Sequence, residues 1–354
     1  MKRVSFKMII SFTILIVVSC NGPYTIVTNY VHSNGSVTRK IEMKSSESKV
    51  ENRFKMSDLQ VPFDSSWTVR DSCEVNKNGD TTWLRRAEKL FKSIDDINLT
   101  YKSDSGANKE FSRHAGFKRR FKWFYTEFRF SERIDKKLSF GYPVKNFLNK
   151  EELIYFYYPE NIKHDKETGP DSLKFKALSD SVKHKTDKWT ARNMVSEWIG
   201  EFSKLTAGKA DSGMSIQSLK SHEDKFAELI EKDDKGLDSL WKNGIMLKDL
   251  IGKENALKYR TEADSALSIV LSNLFVNFSD YSVRTIMPGK LIGTNGFIDS
   301  SHLLFWPVKS DYFMTEPYEM WAESKILNRW TWIVSGLFLV FVLSGMIIRV
   351  IKKD

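Results

Sequence analysis

The last 25 residues of the chain contain the feature that most restricts how it can fold. Residues 330–348 carry no charged side chain, and a helix of that length, rising ~1.5 Å per residue, matches the ~30 Å hydrocarbon core of a bilayer. Trp330 and Trp332 occupy the position of an interfacial aromatic belt, and a basic tail follows at once. The pattern predicts a transmembrane helix over 330–348 and, by the positive-inside rule, a cytoplasmic tail over 349–354.

The first 20 residues have the pattern of an exported protein. Three basic residues precede the apolar run Met8–Val18, whose length is that of a signal-peptide core. The run closes with Val17-Val18-Ser19-Cys20, which resembles the lipobox of bacterial lipoproteins. That resemblance implies cleavage after residue 19 and a thioether between Cys20 and a diacylglycerol of the membrane. We therefore predict a signal peptide over 1–19 and lipidation of Cys20; an ordinary signal peptide and an uncleaved anchor are the alternatives.

Two such anchors would hold the intervening body on the exported face of the cell membrane, with the C terminus in the cytoplasm. The full chain has a formal net charge of +10, and removal of the leader's three basic residues and the tail's net +2 leaves +5 on the body. This mild excess favours an anionic lipid surface as a partner, and a contribution to solubility alone is the alternative. Because the body is exported, we do not expect a nucleic-acid partner.

Cysteine use is minimal. Only Cys73 remains if Cys20 is lipidated, so the predicted mature chain has no intramolecular disulfide. We expect Cys73 to be a small buried residue, and an intermolecular disulfide is the alternative.

The first part of the body, 20–143, reads as β-strands. Alternating stretches flank Asn34-Gly35 and Asn78-Gly79, and an Asn-Gly pair between strand-forming runs predicts a hairpin because both residues tolerate positive φ. The stretch 117–130 alternates basic and aromatic residues with a slip near its end, which predicts one or two half-buried strands.

The remaining body has a helical part and a second β part. Residues 144–277 have the three- and four-residue apolar spacing of four to six amphipathic helices, the first capped by Asn149. Residues 278–326 return to strands, with a hairpin predicted at Asn295-Gly296. The simplest architecture is α+β: an antiparallel β-sheet of early and late strands, interrupted by a helical insertion and followed by one C-terminal transmembrane helix.

The end of the second β part resembles membrane-anchored bacterial lipoproteins of the LppM-like type. The shared pattern is a strand that ends in a Pro-Gly turn, an Asn-Gly turn, a strand that ends in Trp, and a C-terminal membrane span. The matching residues are Pro288, Gly289, Asn295, Gly296 and Trp306. The resemblance, which does not include the long helical insertion, implies a body of strands and helices that is held at the membrane and binds lipid or another envelope component. It implies no catalysis.

Patterns of the common catalytic and metal sites are missing from the sequence. The six histidines include no pair four residues apart, and there is no HExxH, GxSxG, P-loop or GxGxxG pattern. Ser46-Glu47-Ser48-Lys49 matches SxxK, but the Ser-Asp-Asn and Lys-Thr-Gly partners of that motif are missing. We therefore expect no enzymatic activity, no metal site and no cofactor. Carboxylates brought together by folding leave an acid/base enzyme as an alternative.

Two groups of side chains are candidates for binding. The first group would contact phospholipid headgroups or an acidic partner and consists of Lys118, Arg119, Arg120 and Lys122. A solvated strand face is the alternative for this group. The second group is predicted to lie at the membrane interface, which Trp favours, and consists of Trp321, Trp330 and Trp332.

Three functions fit these observations. We favour a non-enzymatic envelope protein whose body binds lipid or an envelope protein. A structural or assembly factor would dock its helices on a neighbouring complex and would need a large exposed apolar patch within 185–275. A membrane-tethered hydrolase would need a deep pocket with converging carboxylates or histidines.

Overall fold

The computed structural model of the protein describes most of the body and the C-terminal helix. The predicted signal peptide and Cys20 lie outside the described residues, which are 24–46, 54, 63–77, 79–104, 108, 111–139, 141–159, 163, 168–208, 216–232, 241, 244–274, 278, 280–298 and 303–351. Within these ranges the chain forms two β-sheets, a helical insertion and one apolar C-terminal helix, which confirms the predicted α+β class.

The larger sheet is built from both ends of the body. Its strands are β1 Tyr24–Val31, β2 Val37–Ser45, β3 Thr68–Val75, β4 Thr81–Phe91, β7 Tyr281–Ile286, β9 Phe297–Ile298 and β10 Leu304–Val308. They lie in the order β3-β4-β2-β1-β7-β10-β9. The hairpins β1–β2 and β3–β4 form where they were predicted, with Gly35 and Gly79 at φ +90° and +86°. β1 pairs in parallel with β7, so early and late strands do share a sheet, but that sheet is mixed.

The smaller sheet is antiparallel. Its strands are β5 Arg113–Phe121, β6 Tyr125–Ile134, β8 Lys290–Thr294 and β11 Tyr318–Leu327, in the order β5-β6-β11-β8. β6 and β11 pair along their whole length, from Tyr125 opposite Leu327 to Ile134 opposite Tyr318. The stretch 117–130 forms two strands, as one of the two alternatives predicted, with a turn between Phe121 and Tyr125.

The predicted hairpin at Asn295-Gly296 is wrong, because this turn joins the two sheets. β8 before the turn pairs with β11, whereas β9 after it pairs with β10. Asn295 Nδ2 donates to the Glu319 carbonyl at 2.6 Å, and Asn295 Oδ1 accepts from Trp306 Nε1 at 3.0 Å. A Cβ on Gly296 would lie 2.5 Å from the Trp306 ring, so only glycine fits this crossing.

A short helix and a group of buried polar side chains join the two sheets. Helix α1, Ile94–Lys102, packs on β5 and was not predicted, although Ser93 and Asp96 have the spacing of a capping box and form one. Between the sheets, Arg39 of β2 forms an ion pair with Glu132 of β6 and donates to Tyr101 of α1 at 2.8 Å.

The helical insertion contains α2 Lys150–Phe156, α3 Ser172–Thr206, α4 Ile216–Ser221, α5 Glu223–Lys232, α6 Ile245–Lys258 and α7 Arg260–Leu274. Asn149 caps α2 as predicted, accepting from the Glu152 amide at 3.0 Å. The insertion contacts the sheets through their flanking loops. Trp189 Nε1 of α3 donates to the Tyr142 carbonyl at 2.8 Å, and the Tyr312 hydroxyl donates to the Phe156 carbonyl at 3.3 Å.

Helix α8, Arg329–Ile351, follows β11 directly. The most apolar 18-residue stretch within Arg329–Arg349 has a mean hydropathy of 2.3, and nearly all of its side chains lie outside the core. Among the described helices, this one is long and apolar enough to cross a membrane.

The expectation of a buried Cys73 is wrong. Cys73 lies in β3, an edge strand of the larger sheet, and all eight residues of β3 are exposed. An edge strand has a neighbour on one side only, and β3 has neither of its faces covered.

Candidate membrane-contact surface

The β5–β6 hairpin ends in a turn with aromatic residues at its tip. Lys122 and Tyr125 close the turn through backbone hydrogen bonds of 2.8 Å and 3.2 Å, which leaves Trp123 and Phe124 at the tip. Turns are normally built from Gly, Pro, Asn, Asp and Ser. Here Trp123 is 47% and Phe124 39% exposed, and the neighbouring Phe121 is 53% exposed. Three large apolar rings therefore project from the end of this hairpin.

These rings lie against the start of α8. Phe121 stacks on Trp330 with 6.3 Å between the ring centroids, and Trp123 meets the same Trp330 edge-on at 5.7 Å. Phe124 lies 4.5 Å from Trp332. The structure thus groups the two tryptophans predicted at the start of the span with three aromatic residues of the hairpin.

The depth of this contact along α8 follows from one hydrogen bond. Trp123 Nε1 donates to Ser335 Oγ at 2.9 Å. Ser335 comes six residues after Arg329, which is about 9 Å along the helix axis at ~1.5 Å per residue. The hairpin tip therefore extends past the first turn of the apolar helix.

Asn328 connects the hairpin to the helix. Its Nδ2 donates to the Lys122 carbonyl at 2.7 Å and to the Trp123 carbonyl at 3.2 Å, and its backbone N–H donates to the Phe124 carbonyl at 2.9 Å. Its Oδ1 accepts from Thr126 Oγ1 at 2.9 Å. Asn328 was not identified from the sequence, and its position just before the apolar run is the signal that could have pointed to it.

The four basic residues predicted to bind lie on this hairpin. Lys118, Arg119 and Arg120 are exposed near the end of β5, and Lys122 is half-buried in the turn. Alternation along β5 puts Lys118 and Arg120 on the outer face of the smaller sheet and Arg119 on the opposite side. In the described part of the chain, none of the four forms an ion pair.

Other basic residues of the same sheet are paired with acids. Arg129 donates to Glu323 at 2.8 Å, and this hydrogen bond raises the pKa of Arg129. Arg133 donates to Asp135 at 3.0 Å. The hairpin end therefore differs from the rest of the sheet in having cations without a bonded carboxylate.

Two further lysines join this region through the register of the sheet. Arg120 lies opposite Glu127, Glu127 opposite Lys325, and Lys325 opposite Lys290. Residues directly opposite one another project from the same face, so this row presents three cations and one carboxylate. The sequence alone could not group them, because they lie on four strands that are distant in the chain.

We call this region the membrane-contact surface and define it by the aromatic and basic residues just described. They are Lys118, Arg119, Arg120, Phe121, Lys122, Trp123, Phe124, Lys290, Lys325, Trp330 and Trp332. Trp321, which was predicted to act with Trp330 and Trp332, lies elsewhere. It is six residues before the end of β11, about 20 Å along the strand at ~3.3 Å per residue. Its ring lies 4.6 Å from the Arg129 guanidinium.

Each alternative function requires its own feature, either an apolar patch on the helices or a pocket with converging carboxylates or histidines. In the described part of 185–275, the exposed large apolar residues are Ile216 and Leu257, which lie on different helices. The described residues contain no group of three or more His, Cys, Asp or Glu placed to hold a metal ion. An open cleft of about 480 Å³ lies between α2, α3 and the loop after β10, with Lys163, Lys183 and Lys309 among its lining residues.

The fold and this surface define an α+β protein with an apolar C-terminal helix that is long enough to cross a membrane. Comparison with solved structures matches the NMR structure of the folded domain of LppM from Mycobacterium tuberculosis. The match has 8% sequence identity and a TM-score of 0.29, and it covers 88% of this chain and 94% of that chain. No family model and no curated protein matches the sequence. A structural likeness this distant carries no argument about function.

Proposed function

We propose that this chain is a membrane-anchored lipoprotein of the bacterial cell envelope, without catalytic activity, whose exported body binds anionic lipid through the membrane-contact surface. A diacylglycerol on Cys20 and the span of α8 are its two anchors, and its C terminus is cytoplasmic. The proposal depends most on the packing of Trp123 and Phe124 against the first turns of α8. This packing holds the aromatic rings of the hairpin beside the first turns of an apolar helix, and the basic residues of β5 follow them along the strand.

The level of the hairpin tip suits a membrane interface. If α8 spans a bilayer, Trp330 lies near the boundary between headgroups and hydrocarbon, and Trp123 lies at the deeper level of Ser335. Interfacial segments bury their apolar faces about 5–10 Å into this boundary, which agrees with the position of Ser335 along α8. Trp rings are favoured at this depth. The cations of β5 then lie among the phosphates.

Charge gives this surface a preference among lipids. Each basic residue near an anionic leaflet contributes about 1 kcal/mol to the free energy of membrane binding. The four cations of the hairpin therefore contribute about 4 kcal/mol together. The attraction falls off within a Debye length, about 10 Å at 0.1 M salt. We therefore expect the protein to concentrate anionic lipid around α8.

Photo-crosslinking from the hairpin tip tests the proposal. Benzoylphenylalanine would replace Phe124 in the full-length protein, and Leu173 of α3, which is 84% exposed, would be replaced in the same way as the control. After illumination in native membranes, the residue at 124 should form phospholipid adducts detectable by mass spectrometry, and the residue at 173 should not. If the residue at 124 forms adducts with protein alone, the ligand of this surface is an envelope protein instead of lipid. No phospholipid adduct at 124 would contradict the proposal.

The role of charge has its own test. In nanodiscs that contain equal amounts of anionic and zwitterionic lipid, native mass spectrometry should detect several anionic lipids retained by the wild type. Replacing Lys118, Arg119 and Arg120 by Gln should remove this preference. The control triple variant, with Lys174, Lys176 and Lys188 of α3 replaced by Gln, should keep it. Equal retention by both variants would exclude the hairpin cations as the cause.

The predicted topology can be tested with the exposed thiol of Cys73. A membrane-impermeant maleimide should label Cys73 from the exported side of spheroplasts. An Asp354→Cys variant that lacks Cys73 should be labelled only after the membrane is opened. The reverse pattern would put the body in the cytoplasm. In mass spectrometry of the intact protein, the wild type should begin at Cys20 and carry the added mass of a diacylglycerol, which Cys20→Ala should lack.

A further inference from the structure

The exposed edge of β3 is a candidate interaction surface that the proposed function does not use. β3 is at the end of the larger sheet, and among the described residues no strand pairs with its outer edge. Long edge strands expose unpaired backbone N–H and C=O groups to which another chain can add a strand. The pattern of side chains along β3 indicates which partner would fit.

The backbone phase of β3 limits how a partner can pair. The Asn76 amide donates to the Asp80 carbonyl at 3.0 Å, which extends the β3–β4 ladder. Because backbone groups of successive residues point to opposite sides of a strand, the even-numbered residues of β3 face β4. The odd-numbered residues, from Val69 to Val75, direct their N–H and C=O groups outward. An added antiparallel copy of β3 must therefore place odd residues opposite odd residues.

Near the middle of the strand this condition allows three symmetric pairings of two copies. The two-fold axis would pass through Asp71, Ser72 or Cys73. With the axis at Ser72, Arg70 lies opposite the second copy's Glu74, and Val69 lies opposite the second copy's Val75. Neither of the other two pairings brings Arg70 and Glu74 together.

The single copy leaves these side chains poorly matched. Arg70 lies opposite Arg86 of β4, a like-charge arrangement that destabilises a strand pair, and Arg70 forms no ion pair in the described part of the chain. Val69 is 43% and Val75 66% exposed. The Ser72-centred pairing gives Arg70 a carboxylate and covers both valines.

We propose that two copies of this chain form a dimer by antiparallel pairing of their β3 strands around Ser72. The pairing joins the two larger sheets into one continuous sheet, with backbone hydrogen bonds from Val69, Asp71, Cys73 and Val75 of each copy. One strand pair is a small interface. Copies confined to one membrane meet at a high effective concentration, which makes such an interface sufficient.

Disulfide trapping tests the pairing in the full-length protein. A residue on the two-fold axis at Ser72 belongs to a non-hydrogen-bonded pair, whose Cα atoms lie about 4.5 Å apart, within the usual disulfide range. Ser72→Cys in a Cys73→Ala background should therefore give a disulfide-linked dimer in native membranes under mild oxidation. Wild-type Cys73, which lies opposite Asp71, should give little. Leu173→Cys in the same Cys73→Ala background controls for random collision.

Charge exchange tests the specificity. Arg70→Glu and Glu74→Arg should each lower the trapping of the Ser72→Cys variant by roughly tenfold, since two ion pairs become like-charge contacts. The double exchange should restore it. No excess of Ser72→Cys dimer over the Leu173→Cys control would overturn the proposal. Efficient trapping through wild-type Cys73 would place the axis at Cys73 and overturn the Arg70–Glu74 pairing.

Discussion

The buried ion pair between the two sheets gives a stability prediction that can be worked out from its contacts. Glu132 accepts from Arg39, from the Tyr101 hydroxyl at 2.7 Å and from Asn29 Nδ2 at 3.4 Å. Arg39 also donates to Asn29 Oδ1 at 2.8 Å. The side chains of Arg39 and Glu132 are 3% and 8% exposed. Burial opposes the charge on Arg39, but Glu132 and Tyr101 outweigh it and raise the pKa of Arg39, so Arg39 stays charged.

Removing one member of this pair should lower the free energy of unfolding much more than removing both. Glu132→Ala leaves a buried guanidinium without its carboxylate, a change that typically costs 3–5 kcal/mol, and we expect about 4 kcal/mol here. Replacing Arg39 by Met and Glu132 by Leu together removes both charges and keeps most of the volume. Because such replacements are often neutral, we expect the double variant to lie within about 2 kcal/mol of the wild type.

Urea unfolding of the full-length protein in a mild detergent, followed by tryptophan fluorescence, measures these differences. The single variants Arg39→Met and Glu132→Leu and their double variant form a cycle whose coupling energy should exceed about 2 kcal/mol. Glu42→Ala is the matched control, because Glu42 forms an ion pair with Arg86 at 2.8 Å on the surface. Its loss should lower the free energy of unfolding by less than about 1 kcal/mol. A loss for Glu132→Ala as small as that for Glu42→Ala, or additive losses in the cycle, would refute the reasoning.

Two further predictions concern stability. Gly289 has φ +79°, and a Cβ there would lie 2.4 Å from the Lys325 carbonyl oxygen, so Gly289→Ala should cost more than about 2 kcal/mol in the same unfolding assay. Gly79→Ala, at φ +86° with open space around it, should cost about 1 kcal/mol, and equal losses would exclude the backbone clash as the cause. Burial lowers the pKa of Lys137 from 10.5 to about 8. Between these pH values the unfolded chain therefore binds more protons than the folded chain. As pH rises from 8 to 10.5, the free energy of unfolding of the wild type should rise by up to about 3 kcal/mol relative to Lys137→Gln. A constant difference over that range would contradict the prediction.

Local patterns in the sequence predicted the parts of the fold that local interactions determine. The turns at Gly35 and Gly79 and the cap at Asn149 each depend on residues close together in the chain. The apolar run was equally informative, because no packing partner is needed to recognise a segment that matches a bilayer.

The sequence was less informative where distant segments meet. Asn295-Gly296 has the composition of a hairpin turn, yet its backbone crosses between sheets, since β8 pairs with β11 and β10 pairs with β7. The candidate surface shows the same limit. Lys118 to Lys122 could be selected from their composition, but their position beside α8 depends on Asn328, some 200 residues away along the chain.

The two proposed anchors and the proposed β3 pairing require the same orientation of the body relative to the membrane. The end of β1 at Tyr30 lies on the side of the body from which α8 begins. Tyr30 pairs with Ile286, and Lys290, four residues later, pairs with β11 near the start of α8. Tyr24 is at the opposite end of β1, about 20 Å away at ~3.3 Å per residue. Residues 20–24 can span at most about 14 Å, so a lipid on Cys20 cannot reach the bilayer if β1 stands upright.

The body should therefore lie along the membrane with its larger sheet nearly parallel to the bilayer. The two-fold axis that relates antiparallel strands of one sheet is perpendicular to that sheet. Two copies anchored in one leaflet require this axis to be perpendicular to the membrane, which gives the same orientation. Neutron reflectometry of the reconstituted full-length protein should show a thin protein layer that thickens when Cys20→Ala, which removes the tether, is combined with Arg70→Glu, which weakens the β3 pairing. A layer unchanged by the two substitutions together would mean that neither the tether at Cys20 nor the β3 pairing sets the orientation.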